Sequence, residues 1–158
     1  MPATRRHFLI TAGRLAGAIG LVSVLQGARG HAAPAPTQLT QEAIRKVVGE
    51  AQINQGKVKL DLPPLVENGN AVPVTVTVDS PMSAADHVKA IHIFTEKNPQ
   101  PNVASFRLGP RAGRASVSTR MRLADTQEVT AIAEMSDGSF WSDRVNVVIT
   151  LAACLEDS

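Results

Sequence analysis

The chain has little cysteine and few aromatic residues. Among its 158 residues are one Cys, no Tyr, one Trp and four Phe. One thiol excludes an intramolecular disulfide, and the chain lacks a Cys-x-x-Cys-His haem motif, paired cysteines for a cluster and a glycine-rich phosphate loop. With 44% hydrophobic residues, 10 Pro and 11 Gly, the composition is that of a turn-rich globular domain, not of a collagen-like, low-complexity or coiled-coil chain. We therefore expect no cofactor.

Acidic residues are absent from the first 32 positions, which contain four of the 16 basic residues. The remaining 126 residues have 12 basic and 14 acidic side chains, a net charge of −2. The basic character of the whole chain therefore belongs to its N-terminal segment. A body with this charge gives no electrostatic reason to expect nucleic-acid binding.

That N-terminal segment has the pattern of a twin-arginine signal peptide. Arg5 and Arg6 precede Phe8 and Leu9, a weakly apolar run follows over 15–25, and small residues stand at 30–32. The apolar run is too short and too rich in glycine to span a bilayer. We expect residues 1–32 to be removed after Ala32, the mature protein to be periplasmic, and no membrane anchor. The alternative is an amphipathic N-terminal arm that stays attached.

The mature chain begins with a Pro/Ala-rich leader and a short helix, together spanning 33–56. We expect Thr40 to cap the helix and Gly56 to end the helical pattern. From there the spacing of apolar residues changes from 3.6 to 2, which is typical of strands with one face in water. Gly138 tolerates positive φ, so 136–139 is a hairpin turn.

The alternating segments predict about seven short strands between turns. This number and spacing predict an all-β fold, an immunoglobulin-like antiparallel β-sandwich over residues 57–151, followed by a C-terminal arm, 152–158. The predicted strands are 58–62, 72–78, 88–94, 103–108, 115–123, 129–135 and 140–151.

The single cysteine, Cys154, is the strongest candidate for chemistry. It lies three residues after the last predicted strand and four before the C-terminus, and three extended residues reach about 10 Å. An odd cysteine in an exported chain is a reactive thiol, an intermolecular partner or a buried small hydrophobe. Its position favours a functional thiol.

Other candidates are weaker. His87 and His92 are five residues apart, so on one strand they face opposite sides, and we expect no metal site. A basic stretch either attracts an anion or is a solvated strand face; its members are Arg107, Arg111, Arg114, Arg120 and Arg122. Five carboxylates show no spacing that would place two of them on one substrate; they are Asp125, Glu128, Glu134, Asp137 and Asp143.

Several motifs occur in order along the mature chain and resemble the SoxY sulfur-carrier family of bacterial thiosulfate oxidation. The similarity covers essentially the whole mature chain from the predicted helix onward and includes the twin-arginine leader. The motifs are KVKLDLP (57–63), VENGN (66–70), VPV (72–74), DSPM (79–82), IHIF (91–94), EKNP (96–99), RMRLA (120–124) and AEMSDGSFW (133–141).

The resemblance implies a carrier that is not itself an enzyme. In this family the sandwich pairs with a second small β-sandwich subunit, SoxZ, as a heterodimer. A c-type cytochrome pair loads thiosulfate onto a C-terminal cysteine, and a hydrolase releases sulfate while the remaining sulfur stays attached. The covalent attachment site maps to Cys154. Sheet edges with few Lys or Pro residues beyond Pro73 and Lys89 agree with a bound partner.

The chain departs from the family at the arm. The family's arm is Gly-Gly-Cys-Gly-Gly, whereas here Ala152, Ala153 and Leu155 surround Cys154, followed by Glu-Asp-Ser. Ala and Leu have less backbone freedom than Gly, and the carboxylates disfavour both a thiolate and an approaching anion. Three functions therefore remain open. The first is a covalent sulfur carrier, and the second is an accessory subunit of a periplasmic redox enzyme that carries no substrate. A general exported β-sandwich adaptor is a third.

Overall fold

A computed structural model describes residues 37–151, backbone only at Leu151, as one α-helix and nine strands with two 3₁₀ turns, at 69–71 and 110–112. The predicted signal peptide, the start of the leader and the C-terminal arm lie outside these residues. The elements are α1 Gln38–Val48, β1 Ile53–Gln55, β2 Val58–Asp61, β3 Leu65–Asn68, β4 Val72–Val78, β5 Val88–Thr95, β6 Asn102–Arg107, β7 Ser116–Met121, β8 Gln127–Met135 and β9 Phe140–Leu151.

The strands form two sheets packed face to face. The larger sheet has the order β1-β9-β8-β5-β6, with β3 also paired to β9, and the smaller has the order β2-β4-β7. The Leu60 N–H on β2 donates to Asp143 Oδ2 on β9 at 2.8 Å and ties the sheets together. This arrangement confirms the predicted immunoglobulin-like all-β sandwich.

Two strands, β1 and β3, were not expected from the sequence. They have three and four residues, too few for alternation to show, and both pair with β9 in parallel rather than antiparallel orientation. Ile53 lies opposite Phe140, and Leu65 lies opposite Val148. Their pairing depends on long-range contacts, so the sheet is larger than local patterning indicates.

The main core lies between the sheets and consists largely of branched aliphatic side chains. Alternate residues of β4 are buried, as the spacing predicts. Eight of the nine residues of β8 are buried, because its two faces meet different layers. Val129, Ala131 and Ala133 point into the main core, whereas Ile132 joins a second core beneath α1.

Helix α1 packs on the outer face of the larger sheet, where its Val48 joins Phe94, Ile132 and Phe140. Its N-cap is Thr37, and the predicted cap, Thr40, is wrong. Thr40 is 1% exposed and its Oγ1 donates to the Thr95 carbonyl at 3.1 Å, so it anchors the helix to the sheet.

The helix is also shorter than expected. It ends at Gly49, whose φ of 66° terminates the helix seven residues before the predicted end at Gly56. Within residues 37–151, no helix is both long and apolar enough to cross a membrane.

Pro73 and Lys89 do not guard sheet edges, contrary to the sequence-based expectation. Pro73 lies in β4, the middle strand of the smaller sheet; β2 ends at Asp61 opposite Thr75, before it reaches the proline. Lys89 lies at an irregularity in β5, an interior strand, and its ammonium pairs with the Glu134 carboxylate. The true edges are therefore less protected than the sequence indicated.

Candidate functional site

The candidate site is the end of β9, the strand that leads into the C-terminal arm. The predicted site residues lie outside the described residues, so their roles remain predictions. They are Cys154, Ala152, Ala153 and Leu155. The described chain ends at Leu151, three residues before the thiol. The geometry of β9 therefore defines where the arm starts.

The end of β9 is hydrogen-bonded along both edges. On one edge it pairs with β8 as far as Gln127 opposite Val147. On the other edge β3 pairs with it from Val148 to Leu151, and the Val148 N–H donates to the Pro64 carbonyl at 2.8 Å. Strand β9 is thus held to its last residue.

Beyond β8, a side chain replaces the missing strand. The Ile149 N–H donates to Thr126 Oγ1 at 3.0 Å, and the same hydroxyl donates to the Ile149 carbonyl at 3.4 Å. Thr126 in this way satisfies both backbone groups of a residue that has no strand on that side. The base of the arm is consequently part of the rigid sandwich.

The turns at this end of the sandwich are tied to one another. Asn98 Nδ2 donates to the Arg122 carbonyl at 2.8 Å, and Asn98 Oδ1 accepts from the Ala124 N–H at 3.0 Å. The hydrogen bond from the Lys97 ammonium lowers the pKa of Asp125. These contacts join the β5–β6 turn to the β7–β8 turn beside the end of β9.

An exposed aliphatic pair lies beside the base of the arm. Leu65 is 60% exposed and Val148 is 42% exposed, and the two are direct neighbours across β3 and β9. Val148 is three residues before Leu151, a distance of about 10 Å along a strand. The exposed pair is therefore close to the last described residue of β9.

The carboxylates noted in the sequence have separate structural partners. Asp143 links the two sheets, Glu134 pairs with Lys89, and Asp137 accepts from the Ser139 hydroxyl, which lowers the pKa of Asp137. The predicted hairpin is confirmed, with φ of 82° at Gly138. None of these groups is arranged around a common substrate position.

Glu128 differs from the other carboxylates because it is buried without a hydrogen-bond partner for one of its oxygens, which no local pattern in the sequence indicates. It is 2% exposed on the outer face of β8, and its Oε1 has no hydrogen-bond partner. The nearest cation is Arg144, whose Nη1 lies 3.5 Å from Oε1, and the Glu128 N–H donates to Glu96 Oε2 at 3.1 Å. Burial raises the pKa of Glu128, Arg144 opposes the rise, and the Glu96 charge adds to it.

Replacing Glu128 by Gln should stabilise the protein at neutral pH. Because the folded pKa lies above the ordinary value of 4.5, the folded state binds this proton more tightly than the unfolded chain. The free energy of unfolding therefore falls as the pH rises from 4.5 through the raised value. Glu128→Gln should melt higher than wild type at pH 7. The difference should shrink as the pH falls through the raised value to 4.5, and it should be small below that pH.

Thermal unfolding across this pH range measures the effect, with Glu67→Gln as the control because Glu67 is exposed on β3. A wild-type protein that melts higher than Glu128→Gln at pH 7 would contradict the prediction.

The two histidines contact separate groups. His87 precedes β5, and its Nδ1 lies 3.2 Å from the Ser83 carbonyl. His92 lies within β5, with Nδ1 2.8 Å from Ser105 Oγ, and burial lowers its pKa. Among residues 37–151, no group of three or more His, Cys, Asp or Glu side chains is arranged to hold a metal ion.

Residues 44–154 match the family described as "Sulfur oxidation protein SoxY". The chain belongs to the SoxY family. A solved structure of the "sulfur carrier protein SoxY" from Chlorobium limicola f thiosulfatophilum is 32% identical, with a TM-score of 0.60, and the alignment covers 70% of this chain and 96% of that one. A comparison with curated proteins gives no match.

The sandwich of this SoxY-family chain is also similar to other proteins. A superoxide reductase (neelaredoxin) from Ignicoccus hospitalis is 17% identical, with a TM-score of 0.54 and 61% of this chain and 94% of that one covered. A superoxide reductase from Nanoarchaeum equitans is 11% identical, with a TM-score of 0.52 and coverage of 61% and 100%. At these identities the likeness concerns the fold alone.

The SoxY family match begins within α1 and ends at Cys154. It therefore includes the described sandwich and the first three residues after β9, and its last residue is the single cysteine of the chain.

Proposed function

We propose that this SoxY-family chain is a sulfur carrier in bacterial sulfur oxidation, and that it holds the sulfur intermediate covalently on Cys154. The observation that supports this most directly is that the family match ends at Cys154, the one thiol in the chain. The end of β9, fixed on both edges, lies three residues before that thiol. The Chlorobium relative is itself described as a sulfur carrier protein.

The loading step forms one sulfur–sulfur bond. The Cys154 thiol and thiosulfate give the protein S-thiosulfonate with release of one proton and two electrons. The c-type cytochrome pair accepts the two electrons. Hydrolysis then adds water, releases sulfate and a proton, and leaves a persulfide on Cys154. The thiol is the only group in the chain able to form these adducts.

The arrangement suits transfer between enzymes. A short arm on a rigid base places the sulfur within about 10 Å of the end of β9, while the covalent bond keeps the intermediate from diffusing away. In this proposal a SoxZ-like β-sandwich subunit forms a heterodimer with the chain. The loading cytochrome and the sulfate-releasing hydrolase bind it transiently.

Intact-mass spectrometry tests the proposal. Protein purified from thiosulfate-grown cells should include a species heavier by one S₂O₃ unit, and a reductant should remove it. Peptide mapping should locate the added mass on Cys154. Protein that stays unmodified under these conditions would contradict the carrier function.

We also propose that the protein is exported to the periplasm by the twin-arginine route. Replacing both Arg5 and Arg6 by Lys should retain the unprocessed chain in the cytoplasm, because that route depends on the arginine pair. Immunoblots of cell fractions and N-terminal sequencing measure this, and the exported wild type should begin near Ala33. Arg14→Lys serves as the control; recovery of Met1 at the N-terminus of periplasmic protein would overturn the cleavage prediction.

An accessory subunit that carries no sulfur is the second candidate, and the composition of the arm favours it. Ala152, Ala153 and Leu155 replace glycines of the family arm and restrict the backbone around Cys154. If the chain is a carrier with a stiffened arm, replacing these three residues by Gly should speed loading by the cytochrome. An unmodified wild type together with an unmodified glycine variant would favour the accessory function.

A further inference from the structure

The edges of β6 and β7 leave one side of the sandwich open. Strand β6 is the last strand of the larger sheet and pairs with β5, while β7 is the last strand of the smaller sheet and pairs with β4. Within residues 37–151 neither strand has a partner on its other edge. Because β2 packs against β9 at the opposite side, β6 and β7 border the same open side, which we call the seam.

The seam exposes part of the main core. Several inward-facing residues of both strands are only half-buried although they pack against the core cluster, whereas Met121 at the end of β7 is buried. Phe106 and Ala104 lie opposite Ile91 and Ile93 of β5, and Val117 lies opposite Val76 of β4. These partners on the interior strands are almost fully buried. Apolar surface between two unpaired strand edges is a template for a further strand.

The charged residues that border the seam are all arginines. Residues 98–124 contain five arginines, no lysine and no carboxylate. Arg107 lies at the end of β6 and Arg120 lies on β7. All five arginines are exposed, and none forms an ion pair with a carboxylate of the described chain. The set is Arg107, Arg111, Arg114, Arg120 and Arg122.

We propose that the seam binds an extended, acidic segment of a partner protein, which adds a strand to β6 and places its apolar side chains against the exposed core. The unpaired edge supplies backbone hydrogen bonds, the half-buried residues accept alternate side chains, and the arginines select for carboxylates. Arginine without lysine around an apolar centre is typical of protein interfaces. This binding does not require Cys154, so it is independent of sulfur loading.

A capped peptide of alternating Val and Glu, long enough to span β6, is the probe. Titrated into the purified mature protein, it should shift backbone amide resonances of β6 and β7, and its binding should weaken as salt is added. Arg107→Glu combined with Arg120→Glu should weaken binding by roughly tenfold or more. Both side chains are exposed, so the melting temperature should stay near that of wild type.

Arg45→Glu combined with Lys46→Glu is the matched control, because it reverses the same charge at exposed positions on α1. It should bind the peptide as wild type does. The proposal would be overturned if the Val–Glu peptide does not bind, or if a Val–Lys peptide, poly-Glu or duplex DNA binds as tightly as the Val–Glu peptide does. Amide shifts centred on Leu65 and Val148 instead of on β6 and β7 would overturn it too. Self-association through the seam, seen as a dimer by sedimentation, would also overturn it.

Discussion

Cys154→Ser is expected to abolish covalent sulfur loading completely while leaving the fold intact. No other group in the chain forms a thiosulfonate or persulfide, so the adduct should disappear from intact-mass spectra. The residue follows the last strand, so the substitution should change the free energy of unfolding by less than about 0.5 kcal/mol, as at surface positions generally.

Ala153→Ser is the matched control, since it adds a hydroxyl to the neighbouring position and keeps the thiol. It should load sulfur and melt as wild type does. If Cys154 is instead a buried small hydrophobe, Cys154→Ser places a hydroxyl in an apolar site and costs about 1–3 kcal/mol. A lowered melting temperature with sulfur oxidation retained in the folded fraction would refute the carrier function.

Phe94→Ala should produce the largest loss of stability, about 3–5 kcal/mol in the free energy of unfolding. Phe94 lies on β5 and is 0% exposed. In the second core it packs with Ile132, Phe140 and the end of α1. Removing the ring leaves a cavity that the helix can close only by shifting toward the sheet. Denaturant unfolding of the mature protein measures the loss.

Phe106→Ala is the comparison, because it removes the same ring from the half-buried edge of the sandwich. Its cost should be clearly smaller, since part of the ring already contacts solvent and less of a cavity forms. Equal costs for the two variants would show that the seam is closed in solution. That outcome would count against strand addition there as well.

The sequence predicted the elements whose pattern is local. The alternation in β4, the Gly138 turn and the bounds of β9 each depend on residues close in the chain. Each agrees with the structure. Thr37 and Thr40 are both good caps by residue type. Only the burial of Thr40 against the Thr95 carbonyl decides between them.

Features that depend on tertiary contacts were not predictable. Strands β1 and β3 exist because β9 is long enough to pair with both. The environment of Glu128 arises from Glu96 in the β5–β6 turn and from Arg144 on β9. The site was located through Cys154 and the family motifs. The seam depends on which strands lie at the edges, and Pro73 and Lys89 suggested other edges.

The parallel pairing of β3 with the end of β9 also determines how the protein responds to mechanical load. If the chain is a carrier as proposed, an enzyme that draws the arm into its cleft pulls on Leu151, and we expect this pull to act along the strand axis. Hydrogen bonds to β3 and β8 lie across that direction, so the force is shared in shear among several bonds and does not open them one at a time. Engagement of the arm can therefore proceed without peeling β9 from the sandwich.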